Sequence, residues 1–151
     1  MLKSLLGSIT FYTIIPLPNN WEKSFQSIAA WSPVVGLLIG TILGLVDYLL
    51  IFIGFPILIR STLIVFLGIL ITGGLHLDGV IDSADGITLS DPQKKLMAMQ
   101  DSSVGAFGVI AGIMVILLKV VALSAIDSYR LWILMITYAW GRWAQLFSIT
   151  L

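Results

Sequence analysis

The longest stretch without a charged side chain, residues 24–46, constrains the fold more than any other feature of the sequence. A helix that crosses a bilayer needs about 20 predominantly apolar residues. Over the 151 residues, 58% are apolar and 11% are charged, whereas a soluble domain carries about a quarter charged residues. The chain is therefore predicted to be an all-α, polytopic integral membrane protein, which excludes an ordinary soluble or disordered chain.

The balance of charges and the absence of cysteine exclude further classes of protein. Eight basic and eight acidic residues give a formal net charge of zero, whereas a nucleic-acid surface needs a basic face. We therefore expect no nucleic-acid partner. Without cysteine there is no disulfide framework, iron–sulfur cluster or thiol nucleophile. A metal ion would be held by oxygen ligands or by the single histidine, His76.

Apolar segments separated by short polar stretches predict about four transmembrane helices in a single membrane domain, residues 1–151. Their predicted bounds are residues 32–54, 61–75, 104–126 and 131–151. Residues 1–30 contain Pro16 and Pro18 and lack a small-residue cleavage site. This favours an interfacial or re-entrant N-terminal segment over a cleaved signal peptide.

Basic residues favour the cytoplasmic side of a membrane, and they are distributed unevenly among the predicted loops. With the N-terminus inside, four lysines are cytoplasmic and two arginines face outward. The lysines are Lys3, Lys23, Lys94 and Lys95, and the arginines are Arg60 and Arg130. We therefore expect a multi-pass protein of the cell's plasma (inner) membrane, with the Asp-rich loop 76–103 in the cytoplasm.

Glycines recur at helical spacing along the first and third predicted spans. One stripe comprises Gly36, Gly40, Gly44 and Asp47, and the other comprises Gly105, Gly108, Gly112 and Lys119. Small residues let helices approach closely in a membrane, so both stripes predict packing faces. An unpaired charge inside a membrane is costly. We therefore expect Asp47 and Lys119, which lie at similar depth, to pair with each other.

Three aspartates follow the second predicted span with the spacing i, i+4, i+7. Asp78, Asp82 and Asp85 would share one face of a helix, where their like charges repel unless a cation is bound. Oxygen ligands favour Mg²⁺, with Mn²⁺ a possible substitute. Such an ion takes one or two carboxylates together with substrate phosphates, so the pattern indicates phosphoryl-transfer chemistry. The alternative is a solvated loop whose aspartates cap helices or flank turns.

Further candidate residues flank these aspartates. His76, on the opposite face of such a helix, is either a general base or a hydrogen-bonded structural residue. Asp101 and Ser102 precede the third predicted span, where they either cap the helix or form part of a phosphate site at its N-terminus. Lys94 and Lys95 either attract a polyanionic substrate or contact lipid headgroups.

The run from Gly74 to Gly86 reads G-x-H-x-D-G-x-x-D-x-x-D-G and is followed by D-S-x-x-G-x-x-G from Asp101. This pattern resembles the membrane-embedded cobalamin synthases, the adenosylcobinamide-GDP ribazoletransferases. F-x-T-x-x-P-x-P from Phe11 and the Gly141-Arg142 pair are also similar to that family. The glutamate frequent in the family after the histidine is Leu77 here. The resemblance covers nearly the whole chain and implies that the family's C-terminal part, with further spans, is lacking.

The resemblance implies a Mg²⁺-dependent transfer late in cobalamin assembly. In it, α-ribazole or its 5′-phosphate attacks the pyrophosphate of adenosylcobinamide-GDP and GMP is released. Asp78, Asp82 and Asp85 would bind the metal ion, and the implied catalytic residues are Asp82, Asp101 and His76, of which the last two are alternative bases. Candidates for substrate binding are Ser102, Lys94, Lys95 and Arg142. The implied partners are the two substrates, the lipid bilayer, and a second copy of the chain or other cobalamin-assembly enzymes.

Two other functions are consistent with parts of the pattern. In a transporter or channel fragment, Asp47, Lys119 and Arg142 would line an ion path. Transporter sites lie near mid-membrane, however, and the main acidic cluster is predicted in a surface loop. A phospholipid-type CDP-alcohol phosphotransferase also uses a column of aspartates with Mg²⁺, but its signature places Ala-Arg where this sequence has other residues after Gly79. The ribazoletransferase reading is therefore preferred.

Overall fold

A computed structural model of the chain describes residues 1–101 and 103–150, with side chains up to residue 148. Within this part of the chain all regular secondary structure is helical, which confirms the all-α prediction. The α-helices are α1 (Leu2–Tyr12), α2 (Ser32–Phe52), α3 (Ile57–Ile71), α4 (Leu75–Ile87), α5 (Pro92–Gln100), α6 (Ala106–Ser124) and α7 (Arg130–Thr150).

Two helices of the described chain are long and apolar enough to cross a membrane. They are Ile28–Phe52, which is α2 with a preceding 3₁₀ turn, and Ala106–Ser124, which is α6. Helices α3 and α4 meet at 88° and count as a third crossing only if the pair is one broken span. The predicted spans 61–75 and 131–151 correspond to α3 and α7, but neither helix alone meets this length and hydropathy requirement.

The glycine stripe of α2 packs directly on the backbone of α7. A Cβ atom at Gly36 would overlap the Tyr138 carbonyl, and one at Gly44 would lie 2.9 Å from the Cα of Leu131. Gly40 contacts the turn of α7 between these two points. Because later residues of α2 contact earlier residues of α7, the two helices run antiparallel. The predicted packing role of this stripe is confirmed.

Asp47 continues this stripe, and it pairs with Arg130 instead of Lys119. Its carboxylate accepts the Nε and Nη2 hydrogens of Arg130 at 2.8 and 3.0 Å, and Oδ2 also accepts Nη1 of Arg60 at 3.3 Å. Ser61 Oγ accepts a further hydrogen bond from Arg130 at 3.1 Å. The predicted pair of Asp47 and Lys119 is therefore wrong, because the stripe faces α7, whose first residue supplies the guanidinium group. We call Asp47, Arg60 and Arg130 the arginine cluster.

Two consecutive glycines produce the sharp bend between α3 and α4. Gly73 and Gly74 have φ angles of +62° and +73°, in the left-handed region that glycine adopts without steric cost. Most of the segment 76–103, predicted as the loop between two spans, is helical. α4 begins directly after the bend, and α5 begins where the side chain of Asp91 accepts the backbone N–H of Gln93 at 2.8 Å. Such a cap satisfies a helix end that has no partner within the helix.

The N-terminal segment packs on the same end of the bundle as this bend. α1 has 11 residues and is too short to cross a bilayer. Ser8 Oγ donates to the carbonyl of Ile28 at 3.0 Å, and the N–H of Ile14 donates to the carbonyl of Ile71 at 2.8 Å. These contacts attach the segment to α3 and to the start of α2. Its interfacial or re-entrant placement stays a prediction.

Candidate functional site

The three aspartates of the sequence motif lie on α4, as their spacing predicted, and we call Asp78, Asp82 and Asp85 the aspartate face. Asp78 is exposed, and the other two are half-buried. Because an α-helix rises about 1.5 Å per residue, this face is about 10 Å long. A single metal ion therefore cannot be bound closely by all three carboxylates on a straight helix.

Asp85 is used to dock α4 onto the beginning of α6. Its carboxylate accepts the N–H groups of Gly105 and Gly108 at 2.8 and 2.7 Å. A Cβ atom on either glycine would overlap that carboxylate, which explains the G-x-x-G spacing at this helix end. The sequence left two alternatives for Asp101 and Ser102, a cap of this helix or part of a phosphate site at its N-terminus. The cap observed comes from Asp85, so a phosphate at this helix end would compete with its carboxylate.

Ile81 continues the contact between α4 and α6. Its side chain faces Gly108 and Gly112, whereas Asp85 accepts hydrogen bonds from Gly105 and Gly108. Earlier residues of α4 therefore meet later residues of α6, and the two helices run in opposite directions along this contact. The predicted packing role of the second glycine stripe is confirmed.

Asp78 and Asp82 have no hydrogen-bond or ion-pair partner within the described residues, in contrast to Asp85. Within the same residues no group of three or more His, Asp or Glu side chains is arranged to hold a metal ion. A pair of carboxylates one helical turn apart nevertheless matches what Mg²⁺ takes from a protein, since substrate phosphates and water complete its shell. The predicted metal site on all three aspartates stays a prediction.

His76 lies at the first turn of α4 and contacts Arg142 of α7. The distance from Arg142 Nη1 to His76 Nε2 is 2.6 Å. Because arginine can only donate hydrogen bonds, Nε2 must supply a lone pair, and the imidazole is neutral with its proton on Nδ1. The nitrogen that would accept a proton from a substrate is therefore already occupied, which favours the structural reading of His76 over the base.

Arg142 is buried at the centre of a polar cluster that the sequence prediction included only in part. Its guanidinium group lies 4.8 Å from the centroid of the Tyr12 ring, a cation–π contact. Nη1 also donates to Gln145 Oε1 at 3.2 Å, and the Arg142 carbonyl accepts the hydroxyl of Ser32 at 3.2 Å. Tyr12 and Gln145 were missed. The position of Tyr12 inside the F-x-T-x-x-P-x-P pattern was the available signal.

The remaining predicted residues lie on α5 and the segment after it. Lys94 is exposed and Lys95 is half-buried beside Gly86 at the end of α4. Asp101 directly follows α5, and its carboxylate accepts the N–H of Ser103 at 3.0 Å. This hydrogen bond lowers the pKa of Asp101 below its ordinary value. Ser102 lies outside the described residues.

A cavity of about 370 Å³ lies between α3, α6 and α7, next to the first turn of α4. Most of its wall is apolar, from α3 residues such as Ile64 and α6 and α7 residues such as Leu123 and Ile133. None of its described lining residues is acidic. Its polar lining consists of Thr72, His76, Lys119, Thr137, Tyr138 and Arg142. The aspartate face and this cavity therefore occupy different sides of α4.

The fold and the site define a polytopic helical membrane protein with a carboxylate-bearing helix docked on the first turn of a spanning helix. The sequence model of the family described as Cobalamin-5-phosphate synthase matches residues 4–151. The chain belongs to this family, as its sequence motif predicted.

Curated relatives carry a more specific name. A protein of Trichormus variabilis named adenosylcobinamide-GDP ribazoletransferase is 50% identical over 99% of this chain and 59% of its own length. Proteins of the same name from Synechococcus sp. and Synechocystis sp. are 46% and 44% identical, over 96% and 98% of this chain. In both, the match covers 58% of the relative. No solved structure matches the chain.

Proposed function

We propose that this chain forms part of an adenosylcobinamide-GDP ribazoletransferase. A hydroxyl oxygen of α-ribazole, or of its 5′-phosphate, attacks the phosphorus atom of adenosylcobinamide-GDP on the cobinamide side. The bond from that phosphorus to the GMP oxygen breaks, GMP leaves, and a phosphodiester remains. The family match over residues 4–151 and the names of relatives up to 50% identical support this assignment.

The proposal rests on the different contacts that the three aspartates of α4 make. Asp85 is fixed by two backbone N–H groups of α6, whereas Asp78 and Asp82 project from the same face without protein partners among the described residues. Asp85 thus sets the position of the helix, and the other two carboxylates are available to a divalent cation. Mg²⁺ held there would neutralise charge on the pyrophosphate.

Asp101 is the better candidate for the residue that takes the proton of the attacking hydroxyl. Its carboxylate is exposed in the segment before α6, and the hydrogen bond from the N–H of Ser103 fixes its orientation there. His76 engages its unprotonated nitrogen with Arg142, so its proposed role is to position α4 against α7. Lys94 and Lys95, on the helix that follows α4, are proposed to attract the polyanionic substrate.

We further propose that the protein resides in the plasma membrane with the aspartate face toward the cytoplasm, where nucleotide substrates are found. The distribution of basic residues supports this orientation. Asp47 was one of three residues that would line an ion path in a transporter or channel. Both of its carboxylate oxygens accept hydrogen bonds from arginines, so it is not available to an ion.

The test is Mn²⁺ binding, followed by electron paramagnetic resonance on the purified chain in detergent, with and without adenosylcobinamide-GDP. We compare the wild type with Asp82→Asn and with the control Asp127→Asn, which alters an exposed carboxylate between α6 and α7. We expect binding that the substrate enhances, that Asp82→Asn abolishes and that the control retains. GMP release upon addition of α-ribazole is measured on the same samples. Equal Mn²⁺ binding and equal GMP release by wild type and Asp82→Asn would reject the assignment.

A further inference from the structure

The N-terminal pattern F-x-T-x-x-P-x-P, residues 11–18, takes no part in the proposed reaction. Its threonine closes α1, because Thr13 Oγ1 donates to the carbonyl of Ile9 at 2.7 Å and accepts the N–H of Ile15 at 3.2 Å. Thr13 itself has extended backbone angles, and the two prolines of the pattern oppose a further helical turn. The helix therefore ends at Tyr12, and the chain leaves it in an extended conformation.

The extended segment after α1 packs on the bend between α3 and α4. The N–H of Ile14 donates to the carbonyl of Ile71, the last residue of α3, at 2.8 Å. The side chain of Ile14 also lies 3.2 Å from the position of a Cβ atom at Gly73. Gly73 and Gly74 form the bend, and glycine has more conformational freedom than any other residue. The bend alone therefore does not fix the direction of α4, so contacts with neighbouring segments must do so.

Hydrogen bonds attach α4 to other helices at both of its ends. Near its C-terminal end, Asp85 accepts two backbone N–H groups of α6. At its first turn, Nε2 of His76 lies 2.6 Å from Nη1 of Arg142 on α7. Asp78 and Asp82 lie between these two attachments. The orientation of the aspartate face therefore depends on the contact at the first turn as well as on the contact with α6.

The guanidinium group of Arg142 is in turn oriented by Tyr12. The group lies 4.8 Å from the centroid of the Tyr12 ring, and each of the two residues is only 4% exposed. A cation–π contact is stronger when its partners are withdrawn from water. Among the described residues no carboxylate pairs with Arg142. The Tyr12 ring therefore compensates part of the buried charge and sets the plane of the guanidinium group.

We propose that Tyr12 is a positioning residue of the ribazoletransferase site. Its ring orients Arg142, Arg142 holds Nε2 of His76, and His76 sets the first turn of α4. Asp78 follows His76 by two residues, so a displaced first turn would move this carboxylate relative to Asp82. The inference rests on the proposed function and deepens it, because it assigns the N-terminal segment to the same site.

The first measurement uses the single histidine of the chain. A ¹⁵N NMR spectrum of the histidine-labelled protein in detergent at neutral pH reports His76 alone. The hydrogen bond at one ring nitrogen determines which nitrogen is protonated, and the bond from Arg142 places the proton on Nδ1. We expect this tautomer in the wild type and in Tyr12→Phe, which keeps the aromatic ring. Tyr12→Leu should shift the population toward the Nε2–H tautomer. The control Tyr48→Leu, at an exposed tyrosine of α2, should match the wild type.

The second measurement is a Mn²⁺ titration of the same variants, followed by electron paramagnetic resonance. Loss of a contact that orients metal ligands costs about 10–100-fold in metal affinity. We therefore expect Tyr12→Leu to weaken binding by about tenfold, and Tyr12→Phe and Tyr48→Leu to retain it. His76→Gln offers Arg142 a side-chain oxygen in place of Nε2 and should also retain binding, whereas His76→Leu should weaken it. Thermal midpoints establish that each variant is folded, and the two His76 variants provide the test if Tyr12→Leu is not.

The outcomes distinguish this inference from the proposed function. If Tyr12→Leu leaves the tautomer unchanged, Tyr12 does not orient Arg142 and the inference is wrong. It is also wrong if the tautomer changes while the Mn²⁺ affinity of Tyr12→Leu stays at the wild-type value, or if His76→Gln and His76→Leu bind Mn²⁺ equally. Absence of Mn²⁺ binding by folded wild type instead contradicts the aspartate site of the proposed function. The tautomer measurement then still decides whether Tyr12 orients Arg142.

Discussion

The arginine cluster and the aspartate face are two concentrations of charge near opposite ends of α2, and they differ in how their charge is compensated. In the arginine cluster one carboxylate faces two guanidinium groups, and the exposed fraction of each side chain is at most 9%. Among the fully buried side-chain nitrogen and oxygen atoms of the described residues, the Nε atom of Arg60 is the one without a hydrogen-bond partner. In the aspartate face, by contrast, Asp78 and Asp82 have no partner among the residues that the structure describes. Charge compensated by the protein stabilises the helix bundle, whereas uncompensated charge is available to a ligand.

Asp85 shows that both kinds of carboxylate occur on one helix. It belongs by sequence to the acidic motif, yet its oxygens are engaged by the backbone of α6 in the way that Asp47 is engaged by arginine. The spacing of acidic residues identified the shared face. Only the contact with Gly105 and Gly108 distinguishes the structural aspartate from the two available ones.

The largest effect is expected when the arginine cluster loses its carboxylate. Asp47→Ala leaves Arg60 and Arg130 buried without a counter-charge, and breaking a buried pair in this way costs about 3–5 kcal/mol. We expect little folded protein, measured by the fraction that elutes monodisperse in detergent and by its thermal midpoint.

Asp127→Ala is the matched control, because its carboxylate is exposed and lies outside the cluster. Lys119→Met should also fold normally, since Lys119 does not pair with Asp47. A stable Asp47→Ala protein, or unfolding of Lys119→Met that Asp47→Asn rescues, would contradict the pairing described above.

A smaller effect is expected at the contact between α2 and α7. Gly40→Ala places a Cβ atom about 2.6 Å from the Cα of Met135, so the helices must separate. Overpacking of this kind costs about 1–3 kcal/mol. The measurement is the free energy of unfolding in a mixed-micelle denaturation series.

Gly79→Ala provides the comparison for this substitution. No neighbouring atom of the described residues lies within 4 Å of a Cβ atom at Gly79 in α4, and alanine is the better helix former by about 1 kcal/mol. This variant should be as stable as the wild type or more stable. If Gly40→Ala has no more effect than Gly79→Ala, the close approach of α2 and α7 is not required.

The smallest effect on stability is expected within the aspartate face, where stability and metal binding should respond to different substitutions. Asp85→Ala removes the cap of α6, which costs about 0.5–2 kcal/mol. Asp82→Ala should leave the thermal midpoint unchanged, because Asp82 has no protein partner among the described residues, and should abolish Mn²⁺ binding. A thermal scan and a Mn²⁺ titration of both variants therefore separate the two roles. Equal destabilisation by both substitutions would show that Asp85 has no structural role that Asp82 lacks.

Much of the fold could be predicted because it depends on local hydrophobicity. The uncharged runs predicted α2 and α6 within about two residues at each end, and the glycine stripes predicted which faces of these helices pack. The sequence analysis placed α4 in the segment between two predicted spans and predicted that its aspartates share one face of a helix, but it set no bounds for that helix. Its helical character depends on docking to α6 through Ile81 and Asp85.

The sequence by itself determined the membrane class, the family and the sharing of one helix face by three aspartates, because hydropathy and residue spacing are properties of the chain read in order. The tertiary structure decided which charges are compensated. Arg130 reaches Asp47 across 83 residues, Arg142 reaches His76 across 66, and Gly105 reaches Asp85 across 20. These pairs form only when the helices that carry them become neighbours. The sequence contains other groups that could make the same contacts, and helix packing decides which of them meet.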